Sequence, residues 1–340
     1  MPTITSDVVV DVQYGDCGKG KVTHYLAKTR DYTHVVRYNG GHNAGHTIYH
    51  EGKKFVTHAI PCGVFFGIKS IIGPGCVISP ERLLEEIDEL RSAGINVDSL
   101  LMIANNAHVI TDWHLAEDDR DTKIGTTKRG NGPAYRDKYG RKGVRAAEVA
   151  SLKEYVVDIY EEFHNNQEHS HLNILFEGAQ GFGLDIDWGD YPYVTSSHCT
   201  SASAFLNGVP PSSIRDVYGV GKIYETYVGA KSFEMPDVDF AKRIRSVGSE
   251  YGATTGRPRQ INWFDVDSIS RAIDINGVTK LVINKVDVLE NLINEGDYLR
   301  VYHGDNMFSF ESMEDMKYYI EEHIGRDGME IFFSGNKEEI

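Results

Sequence analysis

Short apolar β-branched runs recur along this chain, and each stops at a glycine-rich or polar turn. Asp7 to Val12 (DVVVDV) reads as a buried first strand running straight into a glycine-rich turn. His34 to Arg37 (HVVR) reads as a second strand before another glycine-rich turn. Ser70 to Ile72 and Cys76 to Ile78 flank a Gly-Pro-Gly turn. Asn173 to Phe176 (NILF) and Lys280 to Ile283 (KLVI) read as later strands, ending in EGAQG and NKVD. Between these runs the period changes. Leu83, Leu84, Ile87 and Leu90 follow helical spacing, and Ser79-Pro80 supplies an N-cap and a first-turn proline for a helix through about Ser92. Glu311 to His323 reads as a late amphipathic helix and Met329 to Phe333 as a last strand. Alternation of buried strands and helices predicts an α/β fold with a mostly parallel central sheet flanked by helices. Ligands then bind at the carboxyl ends of the strands. The acidic stretch Glu117 to Asp121 reads as a solvated loop.

Composition narrows the function classes. Apolar residues make up 41% of the 340 residues, enough for a sizeable core and against disorder. No linker, repeat or low-complexity tract divides the chain, so residues 1–340 are expected to form a single domain with inserted loops. The net charge of −15 argues against a general nucleic-acid binder, because an acidic field repels phosphate backbones. The N-terminus lacks a signal-peptide pattern and no segment is apolar enough to span a membrane. The four scattered cysteines contain no CxxC, so the expectation is a cytoplasmic protein with isolated thiols.

Five segments carry chemistry. Gly15-Asp16-Cys17-Gly18-Lys19-Gly20-Lys21 fits the GxxxxGK spacing of a phosphate loop, whose glycines let backbone N–H groups converge on an anion. Val22 stands where such loops place the hydroxyl that binds Mg²⁺. Asp16 would repel phosphates unless a cation intervenes, which points to an Mg²⁺ ligand, a base, or both. A plain strand-to-helix turn is the alternative. Gly40 to Thr47 (GGHNAGHT) contains HxxxH, but Asn43 and Gly45 speak against a zinc helix and for an anion- or transition-state-binding loop. Ile124 to Pro133 (IGTTKRGNGP) precedes Arg136, Lys138, Arg141, Lys142 and Arg145, a cationic cluster suited to a phosphate. Gly252 to Arg259 (GATTGRPR) combines threonine hydroxyls with two arginines and suits a carboxylate. In Asn284-Lys285-Val286-Asp287, an Asp after a strand can accept from guanine N1–H and the 2-amino group, which favours GTP. No nucleophile elbow and no complete GxGxxG appear.

Taken together, GDCGKGK (15–21), GGHNAGHT (40–47), IGTTKRGNGPAY (124–135), EGAQGFGLDIDWGDYPYVTSS (177–197), GATTGRP (252–258) and NKVD (284–287) resemble the adenylosuccinate synthetase family, collinearly and over nearly the whole chain. The resemblance implies a GTP-dependent ligase that condenses L-aspartate with the 6-oxo position of a purine nucleoside monophosphate through a 6-phosphoryl intermediate. IMP is the first acceptor it implies. It implies Asp16 and His46 as catalytic residues, with Asp16 and Gly45 on Mg²⁺. It implies that GTP meets Gly15, Cys17, Gly18, Lys19, Gly20, Lys21, Gly45, Thr47, Lys285 and Asp287. The acceptor nucleotide would meet Asn43, Thr127, Gln180 and Thr195, with Arg141 reaching it from a second subunit of a homodimer. Thr254, Thr255, Arg257 and Arg259 would hold L-aspartate. This chain departs from the family pattern at Cys17 (Glu in the family), Pro258 (a basic residue), Lys231-Ser232 (Gly-Pro) and the Phe333 to Asn336 tail. Those departures leave room for phage-type relatives that use dGMP, although the retained Asp16 favours IMP. A GTP-binding switch without condensation would need neither the aspartate loop nor the basic cluster.

Overall fold

The structure is a computed structural model that describes residues 2–165, 170–252, 256–293, 298–335 and 340. The first half runs β1 (Thr3–Asp11), α1 (Lys19–Thr29), β2 (His34–Arg37), the hairpin β3 (His46–His50) and β4 (Lys53–Thr57), β5 (Lys69–Ile72), β6 (Val77–Ile78) and α2 (Pro80–Ser92). It continues through β7 (Leu101–Ala104), β8 (His108–Val109), α3 (Asp112–Asp118), α4 (Asn131–Tyr139), β9 (Val156–Val157) and β10 (His171–Glu177). The second half runs β11 (Ile214–Lys222), β12 (Tyr224–Tyr227), α5 (Val238–Val247), β13 (Gln260–Asp265), α6 (Val266–Asn276), β14 (Lys280–Asn284) and α7 (Val286–Glu290). It ends with β15 (Leu299–His303), β16 (Asn306–Phe310), α8 (Met313–Ile324) and β17 (Glu330–Ser334).

Among the described residues, nine strands form the central sheet, in the order β17-β14-β11-β1-β10-β2-β5-β7-β9. Every neighbouring pair in it is parallel. A parallel sheet is covered on both faces, which is why its strands read as continuous apolar runs rather than alternations. Val8, Val9, Val10, Val35, Val36, Ile174, Leu175 and Phe176 are all fully buried in one core. A second, four-stranded sheet, β12-β13-β15-β16, stands beside the first. Its one parallel pair is β13 with β15. The strand pattern in the sequence did not distinguish this sheet from the central one.

The expected strands and helices are present, with shifts that have local causes. Val77–Ile78 pairs with β8 in a small separate sheet. Ser79 occupies the N-cap position of α2, but its side chain makes no cap hydrogen bond. Its backbone N–H instead donates to His42 Nδ1 at 3.3 Å, tying the helix start to the second glycine-rich loop. Helix α8 starts at Met313 because the Ser312 hydroxyl accepts from Asp315 N–H at 3.1 Å and caps it. Within the acidic stretch 117–121 only the part from Asp119 onward is the expected loop, with Asp119 and Arg120 exposed. Glu117 and Asp118 close α3, Asp118 is buried, and its carboxylate accepts from Gly130 N–H at 2.8 Å. Hydrophilicity alone cannot separate a cleft wall from an outer surface.

No helix among the described residues is long and apolar enough to cross a membrane.

Candidate active site

A cleft of about 680 Å³ opens at the carboxyl ends of β1, β2 and β10. Gly15, Asp16, Gly18, Lys19, Gly20, Asn43, Gly45, His46, Thr47, Thr127, Gln180, Thr195, Arg257 and Arg259 all border it. Five sequence segments far apart in the chain therefore meet in one place.

The first loop is shaped by the last residue of β1. The buried Asp11 carboxylate accepts from the backbone N–H groups of Gln13 (3.0 Å), Gly15 (3.1 Å) and Cys17 (3.2 Å). Gly15 and Gly18 take the left-handed conformation at φ 85° and 102°, which glycine adopts without a Cβ penalty. Gly18 leads into α1, whose N-terminus carries no side-chain cap, and such an end is a ready anion site. Lys19 is buried and its ammonium donates to Asp11 (3.1 Å) and to the Gln180 carbonyl (2.5 Å). It thereby locks the first loop onto the EGAQG turn. Cys17 turns its thiol inward, within reach of the Gln13 side chain (3.1 Å) and the Gly15 carbonyl (3.3 Å), and is 1% exposed. Cys17 does not border the cleft: its N–H donates to Asp11 and its carbonyl accepts from Asn284.

The second loop carries His46 into a buried charge network. His46 Nδ1 and Glu177 Oε1 are 2.6 Å apart, and Arg37 Nη2 donates to the same Glu177 oxygen at 2.6 Å. Cys62 N–H donates to the other oxygen at 3.1 Å. Burial opposes ionisation of Glu177, but Arg37 and His46 overcome it and hold the carboxyl down at about 2. Burial, reinforced by Arg37, pushes His46 down to about 4, so its imidazole is neutral at pH 7. With Glu177 ionised, His46 Nδ1 carries the proton and donates it to the carboxylate. His42 is also buried and pushed down to about 3 by burial, and it sits in a turn rather than on a helix face with His46. The HxxxH spacing therefore makes no metal-binding helix.

Gln180 takes φ 58° and its side-chain oxygen has no partner among the described residues. Gly40 lets it approach, since a Cβ there would meet Gln180 Oε1 at 2.8 Å and Ala179 Cβ at 2.7 Å. Asn43 accepts from Asn131 Nδ2 at 3.0 Å. Two members of the expected cationic cluster are engaged by neighbours. Arg136 pairs with Glu117 and with Asp137 (2.9 Å), and Lys138 donates to the Pro74 carbonyl at 2.5 Å. Arg141 lies exposed after α4, outside the cleft of its own chain.

On the far wall Arg257 donates to the Gly125 carbonyl at 3.1 Å, and Arg259 Nη2 lies 2.9 Å from Asp16 Oδ2. Thr254 and Thr255 lie outside the described residues. Lys285 and Asp287 follow β14, one strand beyond β11. Asn284 Nδ2 donates to the Cys17 carbonyl at 2.8 Å and so joins that segment to the first loop. Lys21 points the same way, donating to Ser334 Oγ at 3.0 Å, and burial pushes its ammonium down to about 8. The residues that sequence reasoning passed over are Asp11, Arg37, Glu177, Lys222 and Glu250. For the first four the signal available was a charged residue at the end of an otherwise apolar strand; Glu250, between α5 and β13, carried no such signal.

A family profile described as adenylosuccinate synthetase matches residues 8–153 and 148–295. The chain is 43% identical to the adenylosuccinate synthetase of Leuconostoc citreum over 84% of this chain and 78% of the relative. It is 41% identical to that of Shouchella clausii over 85% and 79%. A fully ligated adenylosuccinate synthetase from Plasmodium falciparum superposes with a TM-score of 0.83 at 27% identity, covering 97% of both chains. A cyanophage S-2L succinoaminodeoxyadenylate synthetase solved with dGMP and dATP shares the fold at a TM-score of 0.70 and 24% identity, covering 94% of this chain and 99% of the other. A parallel sheet that delivers these loops to one cleft, and sequence identity above 40% across most of the chain, place it in the adenylosuccinate synthetase family of GTP-dependent ligases.

Proposed function

We propose that this chain joins L-aspartate to C6 of IMP at the expense of GTP, releasing GDP and phosphate. The observation that carries the reading is the meeting of Asp16, His46, Arg257 and Arg259 in one cleft with the acceptor set Asn43, Thr127, Gln180 and Thr195.

Asp16 takes the N1 proton of the purine, and the 6-oxygen then attacks the γ-phosphorus of GTP, with GDP leaving. The amine of L-aspartate adds at C6 and the 6-phosphoryl group departs as phosphate. The glycine-rich turn from Gly15 to Lys21, with Gly45 and Thr47, holds the phosphates of GTP. Lys285 and Asp287 hold guanine. His46 faces the transferring phosphoryl group, whose negative charge favours a protonated ring and a second N–H donor there. Arg257, Arg259 and the threonines Thr254 and Thr255 hold the carboxylates of L-aspartate. The Asp16 carboxylate and the Gly45 carbonyl supply two hard oxygen donors at the cleft, which fits Mg²⁺. When bound, Mg²⁺ offsets phosphate charge. Arg141, exposed beside a Tyr139 that is 65% exposed, meets the acceptor phosphate of a second subunit in a homodimer. We place the enzyme in the cytoplasm.

An acceptor panel tests this. Purified protein, Mg²⁺, L-aspartate and GTP are offered IMP, dIMP, GMP and dGMP in turn, and the succino-nucleotide is followed by absorbance and mass. Product from IMP is expected. No product from IMP would refute the reading, and product from dGMP alone would reassign the acceptor.

A further inference from the structure

Glu250 has no part in the chemistry above, yet it is fully buried against the cleft's far wall. Its carboxylate accepts from Lys222 Nζ at 2.8 Å, from the Tyr224 hydroxyl at 2.7 Å, and from Arg259 Nη1. The other terminal nitrogen of Arg259 faces Asp16 at 2.9 Å. The Arg259 Nε–H has no partner among the described residues. The two residues are also joined by backbone, because Arg259 N–H donates to the Glu250 carbonyl at 3.0 Å. Gly252 N–H donates to the Arg257 carbonyl at 2.8 Å, so the backbone around Glu250 pairs with that around Arg259. Ser249 enters this pairing at φ 53°, a left-handed conformation that a serine adopts only under constraint. It turns the chain so that Glu250 points into the core.

We infer that Glu250 is a positioning residue that aims Arg259 and so sets the affinity for L-aspartate; the inference rests on the role proposed for Arg259. The reason is charge arithmetic within one buried cluster. Lys222 and Arg259 supply two positive charges, and Glu250 and Asp16 supply two negative ones. While Glu250 holds Nη1, Arg259 can offer Asp16 only one terminal nitrogen. Its Nε–H then stays available for an incoming carboxylate. Without the Glu250 charge, Arg259 turns both terminal donors to Asp16 and forms the stronger two-pronged pair. That pair swings the guanidinium, and its Nε–H with it, out of the aim that Glu250 sets, and it engages both oxygens of the base. Burial opposes ionisation of Glu250, but Lys222 and Arg259 hold the carboxyl down at about 2, so it is ionised throughout the working range.

The test is Glu250→Gln, which keeps the shape and removes the charge. With a folded protein by circular dichroism, KM for L-aspartate is expected to rise about tenfold or more, while KM for IMP stays within about twofold. In an Arg259→Lys background the same substitution should change KM for L-aspartate by less than about threefold, since the aimed group is gone. Equal rises in KM for all three substrates, an unchanged KM for L-aspartate, or a full effect in the Arg259→Lys background would each overturn the inference. If Glu250→Gln fails to fold, Tyr224→Phe removes one donor to Glu250 with little change of shape. It should raise KM for L-aspartate about threefold, and no change there overturns the inference. Wild-type condensation of IMP with L-aspartate tests the proposed activity by itself, so failure of that reading is seen separately from failure of this one.

Discussion

Replacing Glu177 by Gln removes one charge from a site that water does not reach. Glu177 is fully buried, with Arg37 Nη2 and His46 Nδ1 each at 2.6 Å and Cys62 N–H at 3.1 Å. All three groups donate to it, and a glutamine can accept at only one of its two positions. Its amide nitrogen must then face a donor. Arg37 is 1% exposed and is left as a buried cation without its counter-charge. Breaking a buried pair in this way costs about 3–5 kcal/mol. The unfolding entropy is about 2.1 cal/mol/K for each of the 340 residues, or about 0.7 kcal/mol/K in all. The melting temperature should therefore fall by roughly 4–7 °C. Differential scanning calorimetry at pH 7 measures it. Adding Arg37→Met should recover much of the loss, because a missing pair costs less than an orphaned charge. A drop below about 1 °C for Glu177→Gln, or a double variant that loses the sum of the two single losses, would refute the argument.

Stability should fall as the solution is acidified from pH 6.5. His24, His42 and His46 are held by burial at about 4, 3 and 4, below the ordinary 6.5, so the unfolded chain binds protons first. Their contribution is complete above pH 6.5 and is lost down to the folded values, at up to about 1.4 kcal/mol per pH unit each, or roughly 4 for the three together. Urea midpoints that stay constant from pH 6.5 to 5 would contradict this. Asp16→Ala should abolish turnover while IMP still binds by calorimetry; full activity would remove Asp16 from the mechanism. Mixing inactive Asp16→Ala and Arg141→Leu subunits should restore activity in mixed dimers, and none in verified mixed dimers would argue against Arg141 acting across an interface. Gly75→Ala would place a Cβ 1.9 Å from the Tyr38 carbonyl oxygen, and a loss of about 3 kcal/mol or more in urea unfolding is expected.

The central sheet was legible because parallel strands are buried on both faces and write unbroken apolar runs, as in Val8 to Val10 and Ile174 to Phe176. The second sheet was not. Strand β16 is mostly exposed and β12 is entirely buried, so neither carries the alternation that marks a half-buried strand. The glycine-rich loop, the histidine loop and the paired arginines were legible as segments that share a cleft because each is contiguous in sequence. Arg37, Glu177 and Glu250 escaped because their meaning is non-local. Glu177 stands 140 residues from the arginine that holds it. Cys17 was legible as a loop residue but not as one whose thiol turns inward, since a side chain's direction depends on the turn that Asp11 fixes.

Among the described residues, seven non-glycine residues take positive φ, and Asp16, Arg141, Gln180 and Lys285 are among them. An L-residue in that region gives up about 1–2 kcal/mol that glycine does not. Directed evolution for heat resistance alone would therefore drift toward glycine at those positions. If those residues act as proposed, each gain in melting temperature there would be bought with a base, a nucleotide contact or a guanine contact, and a thermal screen of this enzyme would enrich inactive clones unless turnover is selected alongside it.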